Sequence, residues 1–290
     1  MILRFIPYCR ILLLLLISGG SLFAQTRQEM NDSLSYLYQK AEFQKALPVA
    51  RRIVEMSLMD SGDSTTDYAT ALNNLGHLLS KNGINSEAIA VFSRSLALRI
   101  KLLGPVHEDS YSALQSLTNL YKETAQWKMA TQAFSNYIRQ LNEINQRDLL
   151  YYAYARYQRG DLYYQEGNYA EAEADYLEIV KREKNYLADT LLLASTYNSL
   201  VAIYANRTDI TGGIEKIFIR NAELRKLIDG PESRDFMFAR YQLAAMYSRG
   251  GRYQQAAVII KQLSAYYKRT AGMEDPDYQT VVFYQVSLLC

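Results

Sequence analysis

Along almost the whole chain, apolar residues recur at intervals of three and four, the spacing of one face of an α-helix. Between Tyr68 and Lys81 the pattern is carried by Ala71, Leu72, Leu75, Leu78 and Leu79. Asn82-Gly83 interrupts it, and Gly suits the left-handed conformation that closes a helix. The pattern resumes from about Asn85 to Leu103 with Ala88, Val91, Phe92, Leu96 and Ile100, and stops at Gly104-Pro105. Pro cannot continue the backbone ladder there. This stretch predicts two helices joined by a tight turn.

The same hairpin repeats. Ala46, Ala88, Ala130 and Ala172 are each 42 residues apart, and Ala256 lies two periods further on. Gly62, Gly104, Gly230 and Gly272 share that register, as do Asp67, Asp109, Asp235 and Asp277. Agreement of three residue types at one period marks a repeat array. The predicted units lie near 28–62, 63–104, 105–146, 147–188, 189–230 and 231–272, with a partial unit over 273–290. In the fifth unit Gly213-Ile214 stands where the small Ala belongs, and Asn206 to Gly213 reads as a longer, mobile loop. The partial unit carries Tyr278, Val281, Val282, Phe283, Val286, Leu288 and Leu289, one apolar helix without a following partner.

In the fourth unit Gly160, Leu162, Tyr163, Gly167, Tyr169, Ala172 and Tyr176 fall at set spacings, which Leu243, Ala244, Tyr247, Gly251, Tyr253 and Ala256 repeat. Small residues at 160 and 172 would let two helices approach, and the aromatic residues would fill the space around that contact. This pattern resembles the tetratricopeptide repeat. Tyr68-Ala-Thr-Ala-Leu-Asn-Asn-Leu-Gly76 and Leu102-Leu-Gly-Pro-Val-His-Glu-Asp109 are similar to the 42-residue, kinesin-light-chain-like subclass, with Glu108 in place of that subclass's second Pro. The resemblance covers roughly residues 28–290 and implies an all-α, right-handed α-solenoid of six helix pairs plus a terminal helix.

Residues 1–24 read separately. Arg4 and Arg10 flank a basic start, Ile11 to Ile17 form a short apolar run, and small residues lead to Ala24. This is the layout of a secretory signal cut after Ala24, with an apolar run too short to span a bilayer. Its removal takes two Arg and leaves 30 basic against 30 acidic residues, so neither nucleic acid nor an anionic membrane surface has an obvious electrostatic handle. Cys9 leaves with the signal and Cys290 stays as a lone thiol, so no internal disulfide forms in the mature chain.

No nucleophile elbow, P-loop, dinucleotide fingerprint or HExxH motif occurs, and the two histidines, His77 and His107, belong to no cluster with metal-ligand spacing. His107 reads as a capping residue of a junction. The expectation is a protein that is not an enzyme and needs no cofactor or metal. In the family the resemblance points to, first helices line a concave groove. Carried onto this chain, those positions include Asn73, His77 and Lys81, then Gln115 and Asn119, then Tyr154, Tyr157, Asp161 and Tyr164, then Asn198 and Tyr241. Carboxamides suit the backbone of an extended peptide, and Tyr offers contact area with few rotors to freeze. The three fourth-unit tyrosines are read either as a recognition patch or as packing between neighbouring helices. The functional expectation is an exported adaptor or scaffold in the periplasm or at the cell surface that binds protein or extended peptide, with self-association through the last helix as a further possibility. The alternative is the sensing half of a larger protein, such as a CHAT-type caspase-like peptidase or a sensor kinase.

Overall fold

A computed structural model describes residues 26–207 and 211–287. The signal-like segment 1–24, Leu288, Leu289 and Cys290 lie outside them. The described residues contain thirteen α-helices and no strand. The chain divides into two compact units, residues 1–126 and 127–290.

The first unit holds α1 (Arg27–Gln39), α2 (Phe43–Ser61), α3 (Thr66–Lys81), α4 (Asn85–Leu103) and α5 (Glu108–Glu123). Each packs on the next, and α3 also touches α5. The start of α1 is a reciprocal capping box: Glu29 N–H donates to Thr26 Oγ1 at 3.2 Å and Thr26 N–H to Glu29 Oε2 at 2.9 Å. His107 caps α5 as expected, its Nδ1 accepting from Asp109 N–H at 3.1 Å. Asp67 and Asp109 sit in first turns, where the helix dipole favours a carboxylate. The register alanines Ala46 and Ala88 are fully buried, beside Leu72, Leu75, Leu79 and Phe92.

The turn between α3 and α4 closes as Asn82-Gly83 predicts. Gly83 has φ 75° and Ile84 N–H reaches back to Leu79 O at 2.8 Å. After α1 and α5 the same reach is made past Ala41 and Ala125, each at φ 56°. A Cβ is strained in that region, and the six-residue closing bond holds it there.

The second unit holds α6 (Trp127–Glu143), α7 (Leu150–Gln165), α8 (Tyr169–Lys181), a 3₁₀ turn (Glu183–Asn185), α9 (Thr190–Tyr204), α10 (Gly212–Asp229), α11 (Arg234–Arg249), α12 (Tyr253–Thr270) and α13 (Pro276–Ser287). Each α-helix packs on the next, and the buried positions form one core from Ala153 to Val281. Gly160 carries out the predicted close approach: a Cβ there would lie 2.7 Å from the ring of Tyr176. Tyr176 is buried, whereas Tyr169, expected to fill the same space, is the first residue of α8 and is exposed, its ring against that of Tyr164.

The fifth unit differs from its sequence reading. Thr211 caps α10, its Oγ1 accepting from Ile214 N–H, so Gly212 and Gly213 belong to the helix instead of the loop. Ile214 takes the place of the small Ala and is buried. Residues 208–210 lie outside the described residues.

Polar links tie the first helices α9 and α11 to the second helices before them. Tyr204 donates to Glu173 at 2.7 Å and Arg207 to the same carboxylate at 2.8 Å. One period later Tyr247 donates to Glu215 at 2.9 Å, with Arg252 paired to it at 2.7 Å. Deeper, Asp175 is 1% exposed and holds both Arg156 and Arg159, with nitrogens at 2.6 Å. Arg159 also donates to Ser135 on α6 at 3.0 Å.

Candidate functional site

In the first unit, the first helices α1, α3 and α5 present neighbouring side chains. A cavity of about 380 Å³ lies between α1 and α3, lined by Leu34, Tyr38 and Gln39 from one and Asn74, His77 and Leu78 from the other. His77 stands edge-on to Phe92 at 4.9 Å and its Nε2 meets Ser116 Oγ of α5 at 3.3 Å. An edge of the ring stays exposed. Burial of the rest holds its pKa below the usual histidine value, helped by the positive charges of Lys81 and Arg99. His77 is therefore held toward the neutral form and, with Nε2 engaged by Ser116, leaves Nδ1 for a ligand.

The other predicted residues of this unit separate. Gln115 and Asn119 are exposed on α5. Asn73 is buried, and its Oδ1 has no hydrogen-bond partner; its neighbour Asn74 takes the place in the cavity. Lys81, the last residue of α3 and one turn beyond His77, lines a second cavity, of about 470 Å³, against the turn residues Ala41 to Lys45.

In the second unit, two of the three predicted tyrosines pack against the core and the third is exposed. The Tyr154 hydroxyl donates to Asp189, the residue that caps α9 by accepting from Leu192 N–H at 2.9 Å. That bond is the main reason its phenol pKa is pushed up to about 12, with burial adding to it. Tyr157 is half-buried and tilted against Tyr176 at 5.9 Å, with Ser195, Ser199 and Asp161 around its hydroxyl. Burial is the first cause of its raised pKa. Asp161 accepts from Tyr176 at 2.6 Å. Tyr154, Tyr157 and Asp161 thus connect α7 to α8 and α9. Tyr164 is exposed, edge-on to Tyr169 at 5.2 Å.

Asn198 and Tyr241 open onto two adjoining cavities that share Asp235 and the exposed ring of Phe238. The cavity of Asn198 measures about 200 Å³. Tyr241 borders one of about 220 Å³ together with Tyr267 and Val281, and its ring meets Tyr284 of α13 at 5.6 Å. Lining residues that sequence reasoning missed are Leu34, Tyr38, Asn74, Asn221 and Gln242. For Asn221 the repeat register held a signal: it occupies a position that is Ile53, Tyr137, Ile179 and Leu263 in other units. Among the described residues no group of three or more His, Cys, Asp or Glu could hold a metal, and no helix is long and apolar enough to cross a membrane.

Paired helices with a small-residue contact, a left-handed closing turn and cavities between successive first helices define a helical-repeat scaffold. Comparison specifies the repeat: tetratricopeptide repeat profiles match residues 69–109 and 153–186. These two stretches match the tetratricopeptide repeat, and the first includes the junction through Asp109 on which the sequence resemblance rested. Among solved structures it is similar to BtubC (BKLC) from P. vanneervenii, with 17% identity over 83% of this chain and 94% of that one and a TM-score of 0.55. This likeness shows the fold. A Podosopora anserina protein assigned as a kinesin light chain, with nearly identical TPR-like repeats, is 12% identical over 84% of this chain and 95% of that one, at TM-score 0.43. A tetratricopeptide repeat protein from Parabacteroides merdae is 14% identical over 91% and 99%, at TM-score 0.41. A search of curated proteins finds no match.

Proposed function

We propose that this chain is a non-enzymatic adaptor of the cell envelope that binds a protein or an extended peptide along its first helices. The observation that carries this reading is the cavity between α1 and α3, where the exposed Tyr38 and His77 flank apolar residues and the exposed carboxamides of Gln115 and Asn119 continue on α5. A few convergent polar groups around an apolar hollow are the usual composition of a recognition site. Exposed amides that the fold does not use for packing remain free to bond a peptide backbone. Of the tyrosines, Tyr164 and Tyr241 are the contact residues in this reading, while Tyr154 and Tyr157 hold the scaffold behind them.

The envelope location rests on residues 1–24, whose basic start, apolar run and Ala24 fit an export signal. The test is affinity capture from the source organism's envelope fraction, using the chain and a His77→Ala, Gln115→Ala, Asn119→Ala variant. The expected result is a partner retained by the first and lost by the second at unchanged helical circular dichroism. Equal capture by both would refute the site. Intact mass of the native protein tests export: a start at Gln25 is expected, and a retained Met1 in the cytosol would overturn it.

A further inference from the structure

Asn221 is an anomaly of the core. It is 1% exposed, on α10, at a register position whose counterparts Ile53, Tyr137, Ile179 and Leu263 are all buried and apolar or aromatic. The one other polar counterpart, Ser95, is satisfied, donating to Ala69 O at 2.7 Å. Asn221 Oδ1 has no partner, and neither does Gln242 Oε1 across from it on α11. Both residues line the cavity of about 200 Å³ between α9, α10 and α11. A buried carbonyl oxygen without a donor is unfavourable, and packing alone gives no reason to retain two.

The remaining lining says what would satisfy them. Arg225 has its own counter-ion, Asp229 at 3.6 Å, one turn along α10. Asp235 is exposed in the lining, and among the described residues no ion pair engages it. Phe238 adds an exposed ring to the same lining. The lining thus offers three acceptors, Asn221 Oδ1, Gln242 Oε1 and Asp235, beside one aromatic face and the exposed carboxamide of Asn198, and the carboxamide of Asn221 or Gln242 can rotate to turn its oxygen toward a donor. A guanidinium matches this set: it carries five N–H donors in a planar fork, a positive charge for Asp235 and a face that stacks on an aromatic ring. The volume is below the roughly 300–1,000 Å³ of whole-ligand pockets and is the size for one side chain.

We infer that this cavity receives an arginine side chain of the bound peptide. The assignment rests on the peptide-binding reading and adds the residue class selected by the second unit. It is tested by titrating the protein with N-acetyl-arginine amide, N-acetyl-glutamate amide and N-acetyl-glutamine amide while following the Asn and Gln side-chain resonances by NMR. Saturable shifts of Asn221 and Gln242 with the arginine derivative alone are expected. Asp235→Asn should weaken that response about tenfold. Asn221→Leu, which restores the apolar residue of the other units, should abolish it while raising Tm. Response to the glutamate derivative in place of arginine, response to the glutamine derivative equal to it, or none at all would overturn the assignment. So would an Asn221→Leu protein that binds arginine unchanged. Failure of this titration leaves the wider reading standing, because that reading falls only if the first-unit variant captures its partner as well as the parent chain does.

Discussion

Replacing Gly76 by Ala should destabilise the protein, against the ordinary preference of a helix. Gly76 lies inside α3, where Ala is favoured over Gly by roughly 1 kcal/mol. A Cβ at that position would lie 2.6, 2.7 and 2.9 Å from three carbons of the Phe92 ring. Non-bonded carbons prefer about 3.5–4.0 Å, so the ring or α4 must withdraw by about 1 Å. Phe92 has nowhere to go: it is 1% exposed and His77 stands against it. Overpacking of this kind costs about 1–3 kcal/mol, and a site so enclosed belongs at the upper end. After the propensity gain is subtracted, a net loss of about 1–2 kcal/mol remains. Thermal unfolding followed by circular dichroism should show Tm lowered by roughly 2–8 °C. Gly213→Ala serves as the control, since its nearest neighbour is 3.7 Å away, and it should be neutral or slightly stabilising. Adding Phe92→Leu to Gly76→Ala should recover about 1–2 kcal/mol relative to the sum of the single changes. A Gly76→Ala protein as stable as the Gly213→Ala control would refute the reasoning, as would strict additivity with Phe92→Leu.

Other expectations follow from the packing. Asp175→Asn removes the charge that holds two largely buried guanidinium groups and should cost about 3–5 kcal/mol, since each cation is then left uncompensated; a urea midpoint displaced by less than the equivalent of about 0.5 kcal/mol would contradict it. His77 has a folded-state pKa below its unfolded value, so the folded state binds fewer protons and stability rises with pH. The His77 contribution is fully present above the unfolded value of about 6.5 and is lost as pH falls through it toward the lower folded pKa. Unfolding of the first unit measured between pH 7.5 and 5 should show that slope, and His77→Gln should remove the difference. Ala125 sits at φ 56°, and Ala125→Gly should stabilise by roughly 0.5–1 kcal/mol through relief of backbone strain, read from the denaturation midpoint; a lower midpoint would oppose it.

The helical hairpins and their period were legible in the sequence because their causes are local. Apolar residues at helical intervals set α3 and α4 to within two residues of their observed limits, Asn82-Gly83 marked the closing turn, and His107 was recognised as a cap. Each depends on residues within a turn or two of chain. The same locality explains an error, since the glycines of Asn206–Gly213 suggested loop where burial of Ile214 and the Thr211 cap start a helix at Gly212. Side-chain destinations were decided only by tertiary structure. Asn73 and Asn74 are adjacent in sequence, yet packing buries one and leaves the other in a cavity. Tyr154 and Tyr157 look like contact residues until the Tyr154 hydroxyl finds Asp189, from another repeat, and the Tyr157 ring settles against Tyr176. Asn221 breaks the register of its counterparts, but its meaning depends on Gln242 and Asp235 arriving from α11 to enclose the same space. Helix and turn formation depend on neighbours along the chain. A cavity is defined by atoms distant in sequence, and only folding brings them together.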